Sequence, residues 1–190
     1  MELNEIKKKL SENLRESRYS HTLGVAYTSA SMAMAFGEDI QKAFMAGLLH
    51  DCAKGYSLEQ QVKLCRKYGI TLTKERQESP QLLHSALAPY IARDCYGNED
   101  PEIASAVECH TTGKPAMTVL DKIVFIADYI EPGRKEIPGL SNVRQLAFSD
   151  MDQCLLKILE HTIQYLQGRE QTIDPKTMET YQYYKEEDRI

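Results

Sequence analysis

Ile40-Gln-Lys-Ala-Phe-Met-Ala-Gly-Leu-Leu-His50-Asp51 is the stretch that decides how this chain reads. Phe44, Leu48 and Leu49 recur at helical steps, which predicts an amphipathic helix over 40–51. The apolar run Ala46-Gly-Leu-Leu49 closes directly on two titratable side chains, His50 and Asp51. Neighbours on a helix point about 100° apart. The pair therefore reaches a common point only over the edge of the helix, near its end.

The helical period extends in both directions. Leu3, Ile6, Leu10 and Leu14 mark one face of a first helix. A second apolar segment runs from near His21 to Phe36, where Gly37 can end it. Ser57-Leu-Glu-Gln60 is a capping box that opens a helix through Tyr68, stopped by Gly69. Leu82 to Tyr96 reads as a further helix that Pro89 should kink or divide. Asp100-Pro101 supplies an N-cap and a proline at the first helical position, opening a helix to about His110. Val119 to Ile130 is strongly apolar and of helix length, and Glu131-Pro132-Gly133 breaks the chain after it. Met151 to Leu166 is amphipathic, and Asp174-Pro175 repeats the cap-plus-proline signal before a polar last helix. That last helix reads either as part of the domain or as an appendage. No alternating strand pattern or repeat interrupts the series. The expectation is an all-α helical bundle in a single domain over 1–190, with a core at about 17–135 and C-terminal helices at about 142–190.

A chain of 190 residues, 42% hydrophobic and 27% charged, suits one domain whose core needs no disulfide. Cys52, Cys65, Cys95, Cys109 and Cys154 make an odd set without a C-x-x-C pair, and the charged opening MELNEIKKKL lacks the apolar core of a signal peptide. No stretch approaches the roughly 18 apolar residues of a membrane span. These features predict a cytoplasmic protein with no membrane partner. A net charge of −5 argues against a nucleic-acid polymer as partner, and Lys7-Lys8-Lys9 reads as a solvated helix face beside Glu2, Glu5 and Glu12. A small polyanion stays open, because a few cations and a metal converging in one pocket are enough to bind it.

Four of the five histidines stand in unusual places. His50 and His110 end apolar runs, His84 follows Leu82-Leu83, and His21 opens an apolar segment. Asp128 lies inside Lys122-Ile-Val-Phe-Ile-Ala-Asp-Tyr-Ile130, a stretch that should be largely buried. A buried carboxylate needs a compensating partner, and a divalent metal with imidazole and carboxylate ligands is an efficient one. His21, His50, Asp51 and Asp128 would leave coordination positions open for catalysis. The same residues also have ordinary roles as helix C-caps, hydrogen-bonded core histidines or an ion-paired aspartate, and spacing alone leaves both readings open. His161 sits on an amphipathic helix among polar neighbours and reads as a surface or helix-edge residue without a chemical role. Met32, Met34, Tyr181, Tyr183 and Tyr184 read as packing.

The order His21, His50-Asp51, Asp128 resembles the HD superfamily of metal-dependent phosphohydrolases. A closer likeness is to the YqeK family within it. It is carried by Arg18-Tyr-Ser-His21-Thr-Leu, Gly47-Leu-Leu-His-Asp-Cys-Ala-Lys54, His110-Thr-Thr-Gly113, Leu120-Asp-Lys-Ile-Val-Phe-Ile-Ala-Asp-Tyr-Ile-Glu-Pro-Gly-Arg134 and Ile173-Asp-Pro-Lys-Thr177. The resemblance implies an HD-domain helical bundle and symmetrical hydrolysis of diadenosine tetraphosphate to two ADP. It implies a divalent or trivalent metal, iron first, and manganese or cobalt suit the same donors. The implied ligands are His21, His50, Asp51 and Asp128. His21, Asp51 and Asp128 also face the substrate in this likeness. Arg18, His84, His110 and Arg134 fall at its phosphates, and Thr172, Ile173, Asp174, Pro175 and Lys176 at its nucleoside end. A homodimer stays open, since a small helical domain with an extra C-terminal helix has apolar surface to hide.

Arg18, Arg134 and protonated His84 or His110 would stabilise charge on the reacting phosphate, and a histidine is a reasonable general acid for the leaving ADP. Lys54 follows the His-Asp pair by one turn and reads equally as a catalytic group or as a cation on the helix dipole. His84 and His110 are alternatively a second metal site. Three rivals stand beside this reading. One is an HD phosphohydrolase of mononucleotides or dNTPs. Another is a non-enzymatic regulatory module binding ADP-like nucleotides. The third is a structural protein with core histidines.

Overall fold

Caps set most of the helix boundaries. The computed structural model describes residues 1–73 and 82–187. Among these are ten α-helices and no strand: α1 (Leu3–Asn13), α2 (Glu16–Phe36), α3 (Ile40–Leu49), α4 (Leu58–Lys67), α5 (Leu83–Tyr96), α6 (Pro101–Cys109), α7 (Val119–Ile130), α8 (Leu140–Leu146), α9 (Met151–Gln167) and α10 (Pro175–Glu187). Ser57 Oγ accepts from the Gln60 amide at 3.3 Å, and Gln60 Oε1 accepts from the Ser57 amide at 2.8 Å, closing the expected capping box. Asp100 accepts from the Glu102 amide at 2.8 Å and Asp174 from that of Lys176 at 2.8 Å, each beside a proline that opens its helix. Gly37 ends α2 in the left-handed region at φ 72°, which suits a residue without a side chain.

Several elements differ from the sequence reading. α2 begins at Glu16, well before His21, because polar residues fill its first turn and hide the apolar period. α5 runs through Pro89 undivided. α8 was not anticipated; its seven residues are too few to show a clear period, and only Leu140 and Val143 are buried. Residues 188–190, included in the expected C-terminal range, lie outside the described residues.

α7 is apolar nearly all round and occupies the middle, with Leu120, Ile123, Val124, Phe125, Ile126, Ala127 and Ile130 buried. α2, α3, α6 and α9 pack around it. α10 is not an appendage: Thr177, Thr180 and Tyr184 are buried, and the Tyr184 hydroxyl accepts from the Met117 amide at 2.8 Å. The five cysteines are free thiols, and no helix among the described residues is long and apolar enough to cross a membrane.

α2 and α3 share the most extensive helix contact, and Gly47 sits in it against Ala26 and Ser29. A Cβ there would lie 2.8 Å from the Ala26 Cα and 2.8 Å from Ser29 Oγ. Alanine is worth about 1 kcal/mol over glycine by helix propensity, but overpacking a tight core costs about 1–3 kcal/mol. Gly47→Ala is therefore expected to lower the thermal unfolding midpoint, and a raised midpoint would show that the two helices separate without cost.

A second contact joins α6 to the start of α7. Asp121 is fully buried and accepts from Ser105 Oγ at 2.6 Å, with the Lys114 ammonium 2.9 Å away. Burial alone would raise its carboxyl, but the bonds from Ser105 and Lys114 outweigh burial and hold it below the usual range. A depressed carboxyl contributes stability above its unfolded pKa of about 4 and loses it as pH falls further. The stability deficit of Lys114→Ala, followed by urea unfolding, should be full at pH 7 and shrink below about pH 4. An equal deficit at every pH would mean that Lys114 acts by packing alone.

Candidate metal centre

α3 stops at Leu49, so His50 and Asp51 occupy the turn beyond it rather than the helix itself. His50 Nδ1 donates to the Gly47 carbonyl at 2.7 Å. His110, just past the end of α6, does the same to Val107 at 2.7 Å. Each ring thus satisfies a terminal carbonyl of its own helix. Donation through Nδ1 leaves Nε2 as the free lone pair, aimed away from the helix. α2 supplies His21, α7 supplies Asp128 and the first turn of α5 supplies His84.

These side chains converge. His21 Nε2 lies 2.9 Å from Asp128 Oδ1, while His50 Nε2 lies 3.4 Å from Asp51 Oδ2 and 3.8 Å from Asp128 Oδ1. On the other side of Asp51, its Oδ1 is 3.2 Å from His84 Nε2 and 3.7 Å from His110 Nε2, and those two nitrogens are 3.1 Å apart. The donor atoms fall into three overlapping sets: His21, His50 and Asp51; His50, His110 and Asp128; Asp51, His84 and His110.

The arrangement fits a cation. Nε2 of His21 and Nε2 of His50 are buried and make no hydrogen bond among the described residues. Buried imidazole nitrogens are ordinarily bonded. Both approach carboxylates without pointing along a hydrogen bond to them, as ligands around a shared ion do. The charge balance agrees. Burial would raise the Asp51 carboxyl, yet His50, His110 and His84 hold it well below the usual range. Asp128 is likewise depressed against its burial, chiefly by His21 and His50. Burial would lower the His50 imidazole, and Asp51 and Asp128 raise it instead. The centre calls for positive charge, which a metal supplies in place of that proton.

The remaining expected residues fall around this centre. Arg18 Nη1 donates to Asp51 Oδ2 at 2.9 Å, and Lys54 Nζ is 3.9 Å from Asp51 Oδ1. Arg134 lines a cavity of about 1020 Å³ that opens beside His21 and Arg18. Residues 172–176 lead into α10, which packs on α9 and also reaches α6 and the loop after His110. Lys176 Nζ lies 3.8 Å from Glu108 Oε1, and Thr180 Oγ1 is 3.2 Å from the Thr112 carbonyl. Burial pushes His84 down to about 4, so the charge expected on it is absent from the free protein near neutrality.

The HD domain model matches residues 18–133, from Arg18 to the residue before Arg134. The chain belongs to the HD-domain family. This HD-domain protein is 35% identical over 172 residues to the symmetrical bis(5'-nucleosyl)-tetraphosphatase of Bacillus subtilis (strain 168), covering 90% of this chain and 91% of that one. It is 38% identical over 169 residues to the enzyme of the same name from Halalkalibacterium halodurans, covering 89% of each chain. A crystal structure from Clostridium acetobutylicum, described as a predicted HD superfamily hydrolase involved in NAD metabolism, is 36% identical. It superposes with a TM-score of 0.95 over 98% of both chains.

Two residues of this HD-domain protein escaped the sequence reading. Glu131 is buried and accepts from His21 Nδ1 at 3.0 Å through Oε1 and from the Gly133 amide through Oε2 at 2.6 Å. It directs His21 Nε2 at the centre. Its position in a Glu-Pro-Gly break suggested only a helix end, although the buried face it follows was a signal. His161 is half-buried and lines the cavity, where Tyr129 Oη is 3.3 Å from its Nδ1. Loss of the carboxylate that orients a ligating histidine typically costs about 10–100-fold in metal affinity. Glu131→Ala should show a weakening of that size in chelator-competition titrations, and unchanged affinity would remove Glu131 from the centre.

Proposed function

We propose that this protein hydrolyses diadenosine tetraphosphate symmetrically, giving two ADP, at the metal centre formed by His21, His50, Asp51 and Asp128. The observation that carries the reading is the pair of orphaned Nε2 atoms facing two depressed carboxylates beside a cavity lined with arginine. Similarity along nine tenths of the chain to symmetrical bis(5'-nucleosyl)-tetraphosphatases supports the substrate. Iron is the ion proposed, and manganese or cobalt would suit the same nitrogen and oxygen donors. When bound, such an ion makes water nucleophilic at neutral pH and polarises a phosphoryl oxygen.

The chain's own groups do the rest. Glu131 and the Gly47 carbonyl fix the orientations of His21 and His50. Arg18 and Arg134 approach from the cavity side and bind phosphoryl oxygens, Arg18 while it holds Asp51. Lys54, His84 and His110 stand on the opposite side of Asp51 and are the groups that manage protons at the leaving ADP. His84 is neutral in the free protein, and a phosphate dianion opposite it would draw a proton onto the ring. Thr172, Ile173, Asp174, Pro175 and Lys176, at the entry to α10, receive one nucleoside; Lys176 lies 3.8 Å from Glu108 of α6.

The test is product analysis with purified protein supplied with Fe, Mn or Co. Wild type should release ADP alone, and Asp128→Ala should lose both bound metal and turnover. AMP with ATP would mean asymmetric cleavage, and full activity with bound metal in Asp128→Ala would sink the four-ligand centre.

A further inference from the structure

A symmetrical cut through a substrate with two nucleosides requires room for both, and residues 172–176 are not in the wall of the cavity beside His21. That cavity, at about 1020 Å³, matches the upper range of pockets that enclose whole small molecules, about 300–1,000 Å³. A phosphate group alone would fill little of it.

Its lining combines two chemistries. Arg18 and His21 of the metal centre, the cations Arg134 and Lys135, and the large side chains Ile137 and Tyr165 share one wall. Neither Arg134 nor Lys135 takes part in an ion pair among the described residues, so their charge is available to an anion. Ile137 and Tyr165 are large apolar side chains left 40% and 57% exposed. The Arg169 guanidinium lies 4.8 Å from the centre of the Tyr165 ring and covers one face of it. Unpaired cations and an exposed aromatic ring in one cavity suit the two ends of a nucleoside phosphate, its phosphates and its base.

The cavity is built, not left over. Gly139 has φ +84°, and a Cβ on it would come within 2.8 Å of His161 Cε1. Only a glycine lets the segment carrying Arg134, Lys135 and Ile137 close onto His161 of α9. Arg144 secures the start of that segment, donating to the Ile130 carbonyl at 3.0 Å and to that of Glu131 at 3.1 Å. The Tyr129–His161 pair also lines it.

We infer that this cavity seats the second nucleoside half of the substrate, with its phosphates on Arg134 and Lys135 and its base on Tyr165 and Ile137. The inference rests on the proposed hydrolysis of a dinucleoside polyphosphate, and it makes Tyr165 a specificity-determining residue without a part in the chemistry.

ADP titration by calorimetry on the manganese-supplied protein tests it. Wild type should bind two ADP per chain. Tyr165→Ala should keep one and weaken the other about tenfold, and Tyr165→Phe should restore it, because stacking needs the ring and not the hydroxyl. In kinetics, Tyr165→Ala should raise KM for diadenosine tetraphosphate about tenfold with little change in kcat. KM for adenosine 5'-tetraphosphate, which has no second nucleoside, should hold. Tyr165 is exposed, so its truncation leaves the core intact. One ADP per wild-type chain, or two unchanged sites in Tyr165→Ala, overturns the assignment while ADP release from the tetraphosphate leaves the hydrolase reading standing. No ADP binding and no cleavage by wild type overturns both.

Discussion

Everything near the centre of this molecule is arranged around a carboxylate that water does not reach. Asp51 is 2% exposed and ionised. An isolated buried charge of this kind would cost several kcal/mol even after relaxation. Arg18, His50, His84 and His110 surround it, and they come from four different helical segments. A compensation drawn from so many places requires those segments to meet. That requirement places the start of α2, the end of α3, the start of α5 and the end of α6 around one point. The alanine- and glycine-rich contact between α2 and α3 brings two of them close enough. Asp128, half-buried a few ångströms away, is compensated by His21 and His50.

The helix-cap role weighed for these histidines does not use up their second nitrogen. His50 and His110 each donate Nδ1–H to a carbonyl three residues earlier, at the C-terminal end of a helix where carbonyls lack partners. The same bond fixes the tautomer and leaves Nε2 facing Asp51. The cap and the donor atom are therefore one structural device, used twice on adjacent helices. Glu131 does the equivalent for His21 with a carboxylate, because His21 lies within α2, where the backbone carbonyls are already taken.

Much of this was legible in the sequence, and the reasons are specific. Caps announced themselves: Asp100-Pro101, Asp174-Pro175 and the Ser57 box gave helix starts correct to the residue. The all-round apolar character of Val119–Ile130 marked the central helix, and made Asp128 conspicuous. The convergence of His21, His50, Asp51 and Asp128 was expected from their placement on apolar segments and from the family likeness. What was not legible depends on contacts between distant segments. Glu131 is read as a turn residue until His21, 110 positions away, is seen to bond to it. His161 is unremarkable on its own helix and becomes a cavity wall only because Gly139 lets another segment close onto it. The neutrality of His84 is a consequence of burial depth, which periodicity does not measure.

The two flanks of the centre differ in kind. On one side stand His84, His110 and Lys54, with α10 docked on the adjoining loop; on the other stand Arg134 and an aromatic-lined cavity. Such asymmetry is compatible with a symmetrical cut. A substrate with two identical halves binds equally well in either direction, and both directions are productive. The protein therefore needs no internal symmetry. It needs only that the central phosphate bridge fall over the metal when each half occupies its own flank. The outcome of cleavage is then set by distances, from the metal to the nucleoside seat on either side, and not by any recognition of the bridge itself. Changing the length of one flank, with the ligands untouched, would move the cut along the phosphate chain.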